Sequence, residues 1–416
     1  MDEESEFDSI IEAVGNNGKF QKRFNWAFNF ALIFVAAMPY QNIINSLAVP
    51  DHWCFIPGRE STNYTLDEWK TKHLPKDNSS IENNGFSNCQ MFTGNILNGT
   101  SEEINCQNGW EYDKTWYDLT APSQGSWVCN DSINVANAFI FSRLGEVIGS
   151  MIFGQLADTI GRKPVFFITV ILVAIGRMLL IVTWHSVPLF FLVMFLGSFP
   201  SYSIFQGPLV IAMEISKTEN RAYIAMLQCI SATLGVCSLP LMMWVLRDWR
   251  YFIAVSTLPC IVFIFFGKFM IESPRWLANR GKASKCIREL ETIARMNNTK
   301  VPDNIASILT KFNGEREKIY GIMGLFSSWR LTKNGTLLML GWSSAMLIYY
   351  TFTFNINNLE GNPFMNFFWQ GIAEIPAYFA AKYTSDYLGR RWTNFIAFAG
   401  TFLGCIPILF IIHGNY

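Results

Sequence analysis

The sequence predicts an all-α protein that crosses a lipid bilayer many times, and three observations carry that prediction. Half of its residues are hydrophobic against 15% charged, and the mean hydropathy is +0.21, too apolar for an ordinary soluble chain of 416 residues. Nine stretches are apolar over the ~20 residues that a helix needs to cover the hydrocarbon core. Most connections between them are short, as in a bundle of antiparallel helices, and only two are long. The formal net charge is zero, so no nucleic-acid partner is implied and the charges matter through their placement.

Taken in order, residues 1–23 open with Asp2, Glu3, Glu4, Glu6, Asp8 and Glu12, an acidic, polar start with no cleavable leader. The first span is Phe24–Leu47, followed by a long loop, 48–134. Five more spans complete a six-helix bundle over 24–271: Val135–Leu156, Pro164–Trp184, Pro188–Ile211, Ala222–Leu246 and Tyr251–Met270. A polar linker over 272–335 leads to three further spans in 336–416, at Thr336–Phe354, Phe364–Thr384 and Thr393–Ile412.

The two long loops set the expected orientation. Between Ala48 and Asn134 there are twelve acidic and five Lys/Arg residues, whereas Glu272–Lys333 holds twelve Lys/Arg and six acidic ones. The positive-inside bias therefore places the linker and the N-terminus in the cytosol. Cys54, Cys89, Cys106 and Cys129 lie in the acidic loop, as an even set of disulfide partners in an oxidising compartment would. Four cysteines allow three pairings, and nothing in their spacing selects one. Sequons at Asn63, Asn78, Asn98 and Asn130 fall in the same loop and mark it as a glycosylated ectodomain, although Asn297 and Asn334 carry two more on the other side.

Internal repetition supplies the next clue. GQLADTIGRK after the second span has an echo in KYTSDYLGRR after the eighth. Asp158 and Asp386 each precede x-x-Gly-Arg-Lys/Arg, and the echo falls six spans later, as in carriers built from two six-span halves around a midplane site. Gly161 and Gly389 permit tight turns. The aspartates can accept from N–H groups at a helix start or pair with an arginine of the facing half, a gate when several such pairs break together.

The Gly-x-x-x-Asp-x-x-Gly-Arg-Lys pattern resembles the signature of the major facilitator superfamily. CQNGWEYDKTWYDLTAPSQGSWVC from Cys106, ESPRWLANRGK from Glu272 and EIPAYFAAKYTSDYLGRR from Glu374 are similar to the organic cation/organic anion/carnitine transporter branch, the solute carrier 22-like proteins. The resemblance implies a major facilitator fold of two six-helix halves with a large extracellular loop between spans one and two. It also implies alternating-access transport of organic cations or zwitterions at the plasma membrane. Against twelve implied spans the sequence holds nine, so the second half is expected to be incomplete, and a non-transporting, receptor-like form is the alternative from another class. Organic anion transport is a further alternative, one that would want net positive charge in the cavity.

The same resemblance offers site positions: Glu374 in the eighth span, Trp342 and Tyr349 in the seventh, Phe205 in the fourth and Gln228 in the fifth as cavity-lining residues. It adds Glu214, Arg221, Glu272 and Arg275 to Asp158, Arg162, Lys163, Asp386, Arg390 and Arg391 as a cytosolic gate joining the halves. Physical chemistry agrees on Glu374, since an ionisable group at membrane depth is costly unless it faces a cavity or a partner. Aromatic faces around it would form an anionic cage for a cation. Its competing partner is Lys382, two turns along the same helix. Arg143 and Glu146 share a helix face and read as a neutralising pair. Arg177 has no local partner and is expected to point into the bundle. The histidines at 52, 73, 185 and 413 show no metal-ligand or nucleophile–base spacing, so neither a metal, a cofactor nor an enzyme is implied. A coupling ion, H+ or Na+, is left open.

Overall fold

The computed structural model describes residues 3–76, 85–93, 102–303, 305–312, 321–355 and 361–414. Six of its helices are long and apolar enough to cross a membrane: α2 (Lys19–Ser46), α5 (Ile133–Ile160), α6 (Arg162–Thr183), α7 (Val187–Glu214), α8 (Arg221–Leu246) and α9 (Trp249–Phe266). Three more, α13 (Trp329–Asn355), α14 (Pro363–Tyr387) and α15 (Gly389–Gly414), stand where the last three spans were expected. They are preceded by a short amphipathic α1 (Glu3–Val14) and separated from α9 by α10 (Pro274–Asn279), α11 (Ala283–Asn297) and α12 (Ile305–Phe312).

Small residues let the first-half helices approach closely, since helix association in lipid rests on packing rather than on hydrophobic burial. A Cβ added at Gly149 of α5 would sit 1.7 Å from the Phe199 carbonyl oxygen of α7. Gly176 of α6 and Gly197 of α7 likewise meet backbone to backbone, with a Cβ on the first only 2.3 Å from the Cα of the second. Buried amides brace the interior of α2 and tie it to α9. Asn29 donates to Asn25 (3.0 Å), and Asn42 donates to Ser256 Oγ of α9 (3.0 Å).

The 48–134 loop departs from the helical pattern. It holds two antiparallel pairs, β1 (His52–Cys54) with β4 (Trp110–Tyr112) and β2 (Gln90–Thr93) with β3 (Glu102–Asn105), beside the short helices α3 (Leu66–His73) and α4 (Ala121–Gly125). Of the three pairings left open by the sequence, the structure has Cys54–Cys106 and Cys89–Cys129. His52 lies beside the second bridge, but with both sulfurs joined the three residues do not form a metal centre. Asn63 and Asn130 are exposed, while Asn78 and Asn98 lie outside the described residues. Asn297 is held in hydrogen bonds to the N-terminal segment, donating to Gly15 (3.0 Å) and accepting from the Phe20 N–H (2.9 Å).

The first residues are more than a polar tail. Phe7, Ile10, Ile11 and Val14 recur at helical spacing and are buried on one face of α1. They join Cys286, Leu290 and Ile293 of α11 and Ile305 and Leu309 of α12 in an apolar core that continues into Phe20, Phe24 and Phe28 of α2. The linker and the N-terminus thus pack together beneath the first half. Burial pushes the Cys286 thiol up to about 12.

The two halves meet along α8 and α14, where Gly371 admits Cys237 and Thr233 faces Glu374. Contact is tightest at the end next to the 48–134 loop. There Phe364, 1% exposed, is wedged among Trp116, Tyr117 and Trp244 with ring centroids 5.1–6.4 Å apart. At the linker end of α14, Tyr387 is 90% exposed. The apposition is sealed on the loop side by this aromatic cluster.

Candidate functional site

Glu374 lies midway along α14, facing α8. Its Oε2 accepts from the Tyr378 hydroxyl (3.1 Å) and the Thr233 hydroxyl (3.5 Å), and the Tyr349 hydroxyl of α13 bonds the same carboxylate. The helical period explains Tyr378, which follows Glu374 by one turn on the same face. The carboxylate is thus cradled by hydroxyl groups rather than enclosed by aromatic faces as expected. Lys382 is not its counter-ion, because it pairs with Asp386 one turn further on, at 3.3 Å.

The other expected lining residues divide. Gln228, 7% exposed on α8, donates to the Phe205 carbonyl (2.9 Å) and to Asn29 Oδ1 (3.4 Å), so it fixes the α7 backbone. Phe205 meets the Tyr40 ring of α2 edge-on at 5.3 Å. Trp342 is not drawn in. It is 63% exposed, two turns from Tyr349 toward the linker end, where the halves part.

A second polar group faces this one from the first half. Arg143 Nη1 bonds both oxygens of Glu146 (2.8 and 3.0 Å), and its guanidinium lies 4.8 Å from the Tyr350 ring and 5.8 Å from that of Tyr40. Arg177 is fully buried as expected of an unpaired charge in a bundle. Its Nε donates to the Pro39 carbonyl (2.7 Å), Nη1 to Ser198 (3.4 Å), and Nη2 has no partner. Tyr40, Thr233, Tyr350 and Tyr378 went unnoticed in the sequence, where 64 Phe, Trp and Tyr residues hide any single one. Their signal is adjacency, Tyr350 beside Tyr349 and Tyr378 at i+4 from Glu374.

At the linker end the expected gate residues gather within the first half. Gly161, with φ +118°, turns the chain from α5 into α6, and Glu272 closes over it to accept from the backbone N–H groups of Arg162 (3.0 Å) and Lys163 (3.2 Å). A carboxylate there satisfies orphan donors and complements the helix dipole. The aspartate expected in that role, Asp158, instead pairs with Arg162 (3.5 Å), while its carbonyl accepts from Trp276 (2.8 Å) and Arg280 (2.6 Å). Arg162 also reaches Glu214 (3.2 Å), to which the Ser273 hydroxyl donates.

Arg275 pairs with Asp8 of α1 at 3.1 Å, and Arg221 keeps a buried Nε without a partner. In the second copy of the motif Asp386 pairs within its own helix, and Arg390 and Arg391 are exposed. Among the described residues no ion pair joins the two copies, so the expected network across the halves is not formed in this structure. The physical reason is local: Asp386 is taken up by Lys382 on its own helix, and Arg390 and Arg391 are exposed.

Residues 86–415 match the family described as "Sugar (and other) transporter". Curated relatives include a beta-alanine transporter of Drosophila melanogaster, 25% identical over 96% of this chain and 72% of that one. Organic cation transporter 1 of Caenorhabditis elegans is 25% identical, with 98% and 71% covered. Organic cation/carnitine transporter 2 of Homo sapiens is 25% identical, with 98% and 74% covered.

Proposed function

Because the chain belongs to the sugar (and other) transporter family of the major facilitator superfamily, we propose that it carries small organic cations or zwitterions across the plasma membrane by alternating access. The observation that supports this reading is the carboxylate of Glu374 at the seam between the halves, half-buried and ringed by the hydroxyls of Thr233, Tyr349 and Tyr378. Such a group attracts a positively charged amine where water is scarce, and the aromatic rings nearby add cation–π attraction. The relatives named for organic cations, carnitine and beta-alanine point to the same substrate class. In this reading the acidic, disulfide-bonded loop 48–134 faces the outside, and the basic linker with the N-terminus faces the cytosol. Asp158, Arg162, Lys163, Glu214 and Glu272 then clamp the cytosolic ends of the first-half helices, while Asp386, Arg390 and Arg391 are their counterparts in the second half. Glu374 is also the group through which H+ or Na+ would couple to substrate.

Uptake of a labelled organic cation by cells expressing the chain, beside Glu374→Gln, tests the proposal. The substitution should lower uptake more than tenfold at equal surface expression. Unchanged uptake would remove Glu374 from the mechanism.

A further inference from the structure

The charges buried along the substrate path are divided between the halves, and the division has a sign. In the first half Arg143, Arg177 and Glu146 lie within electrostatic reach of one another, two positive groups around one negative. In the second half Glu374 is the acidic group at the seam, with hydroxyls and no basic partner around it. Both sets lie at the same depth. Arg143 and Glu374 are each ten or eleven residues, roughly 15 Å at 1.5 Å per residue, from the loop-side end of their helices.

Arg143 is not spent on its pair with Glu146. Only its Nη1 is engaged there, Nε and Nη2 make no hydrogen bond among the described residues, and the side chain retains 29% exposure. A guanidinium held at one edge by Glu146, with the Tyr350 ring centroid 4.8 Å away and its Nη1 also 3.5 Å from the Tyr40 hydroxyl, offers its other edge as a preset fork for a carboxylate. Tyr350 and Tyr349 are adjacent, with ring centroids 5.4 Å apart, and they link the two charged sets, Tyr350 lying against Arg143 and Tyr349 bonding Glu374.

We infer that Arg143 is the carboxylate-recognising residue of the substrate site, so that the cavity is polarised and prefers aminocarboxylate zwitterions to simple amines. The anionic end of the substrate docks on Arg143 in the first half and the cationic end on Glu374 in the second. Glu146 acts as a positioning residue, holding the guanidinium in register, and the buried Arg177 keeps the first-half cluster net positive. One solute then bridges both halves, which couples its binding to their approach. The inference rests on the proposed transport of cations or zwitterions.

Equilibrium binding to the purified chain in lipid nanodiscs tests it, with a matched series of primary amines and ω-amino carboxylates of two to five carbons, β-alanine among them. The wild type should bind the best amino acid about tenfold or more tightly than the amine of equal length. Arg143→Gln should collapse that ratio toward one, and Arg143→Lys should restore part of it. Since Arg143→Gln strands Glu146, the charge-neutral pair Arg143→Gln/Glu146→Gln is measured beside it and should show the same collapse in a folded protein. If amines bind but amino acids bind no better, or if the double variant keeps the wild-type ratio, the assignment of Arg143 is overturned and cation transport stands. If neither series binds, or Glu374→Gln leaves amine binding unchanged, the underlying reading fails as well.

Discussion

Gly161 and Gly389 both turn the chain with positive φ, +118° and +80°. Gly161 also has a ψ of 159°, a combination that only glycine adopts readily, and lies against Glu272, so a side chain should cost more there on both counts. At Gly389 an added Cβ meets nothing within 4 Å, so Gly389→Ala pays only the backbone penalty, about 1 kcal/mol. At Gly161 the same methyl lands 2.3 Å from Glu272 Oε2 and must push the carboxylate off the α6 N-terminus. Gly161→Ala should therefore lose about 2–4 kcal/mol, the backbone cost plus that of a displaced cap, seen as the lower midpoint of the two in thermal unfolding in detergent. Equal midpoints would mean that Glu272 contributes nothing to holding the turn. Glu272→Gln keeps an acceptor but removes the charge. It should fall between wild type and Gly161→Ala in the same measurement.

At the scale of elements, α1 is the one whose packing is most open to test. Phe7, 2% exposed, anchors it against α11 and α12, so Phe7→Ala should cost about 3–5 kcal/mol of that docking and free the segment to protease. Cys286 reports on the same core. Its thiol is raised to about 12, so at pH 8 the reactive thiolate is depleted about a thousandfold relative to an exposed cysteine, and maleimide should leave it unmodified. Labelling of Cys286 at a comparable rate in wild type and Phe7→Ala would show that α1 does not cover it. The helices of the bundle were legible because runs of apolar residues near 20 long have no soluble explanation, and α2 and α5 to α9 stand within a few residues of their expected ends. The face of α1 was missed: Phe7, Ile10, Ile11 and Val14 recur at helical spacing, but the acidic residues between them made the segment read as polar. Partner choice was not: that Glu272 rather than Asp158 caps α6 depends on how the linker folds back, a contact 110 residues away along the chain. Glu374 stood out because a charge at that depth demands a reason, whereas the hydroxyls that answer it belong to residue types too common to single out.

For the whole molecule, the seal between the halves on the loop side is a contact that a rocking carrier must break to open on that side. The loop-side seal is largely aromatic, Phe364 against Trp116, Tyr117 and Trp244, with Phe367 and Ile44 buried beneath. Among the described residues no ion pair joins the motif copies on the linker side, so this apolar wedge is the contact that favours the state seen here. Phe364→Ala removes a side chain that is 1% exposed and should weaken the seal by about 3 kcal/mol, enough to move a two-state population by roughly two orders of magnitude. A cysteine at Trp342 reads the shift. With the five free cysteines replaced by serine and both disulfides kept, a membrane-impermeant thiol reagent added from the loop side should label it slowly in the parent protein. In Phe364→Ala the labelling should be at least tenfold faster from the loop side and slower from the linker side, because the same helices cannot be apart at both ends. Faster labelling from both sides would mean that the substitution has loosened the bundle instead of tilting it, and unchanged labelling from both would place the barrier elsewhere than at Phe364.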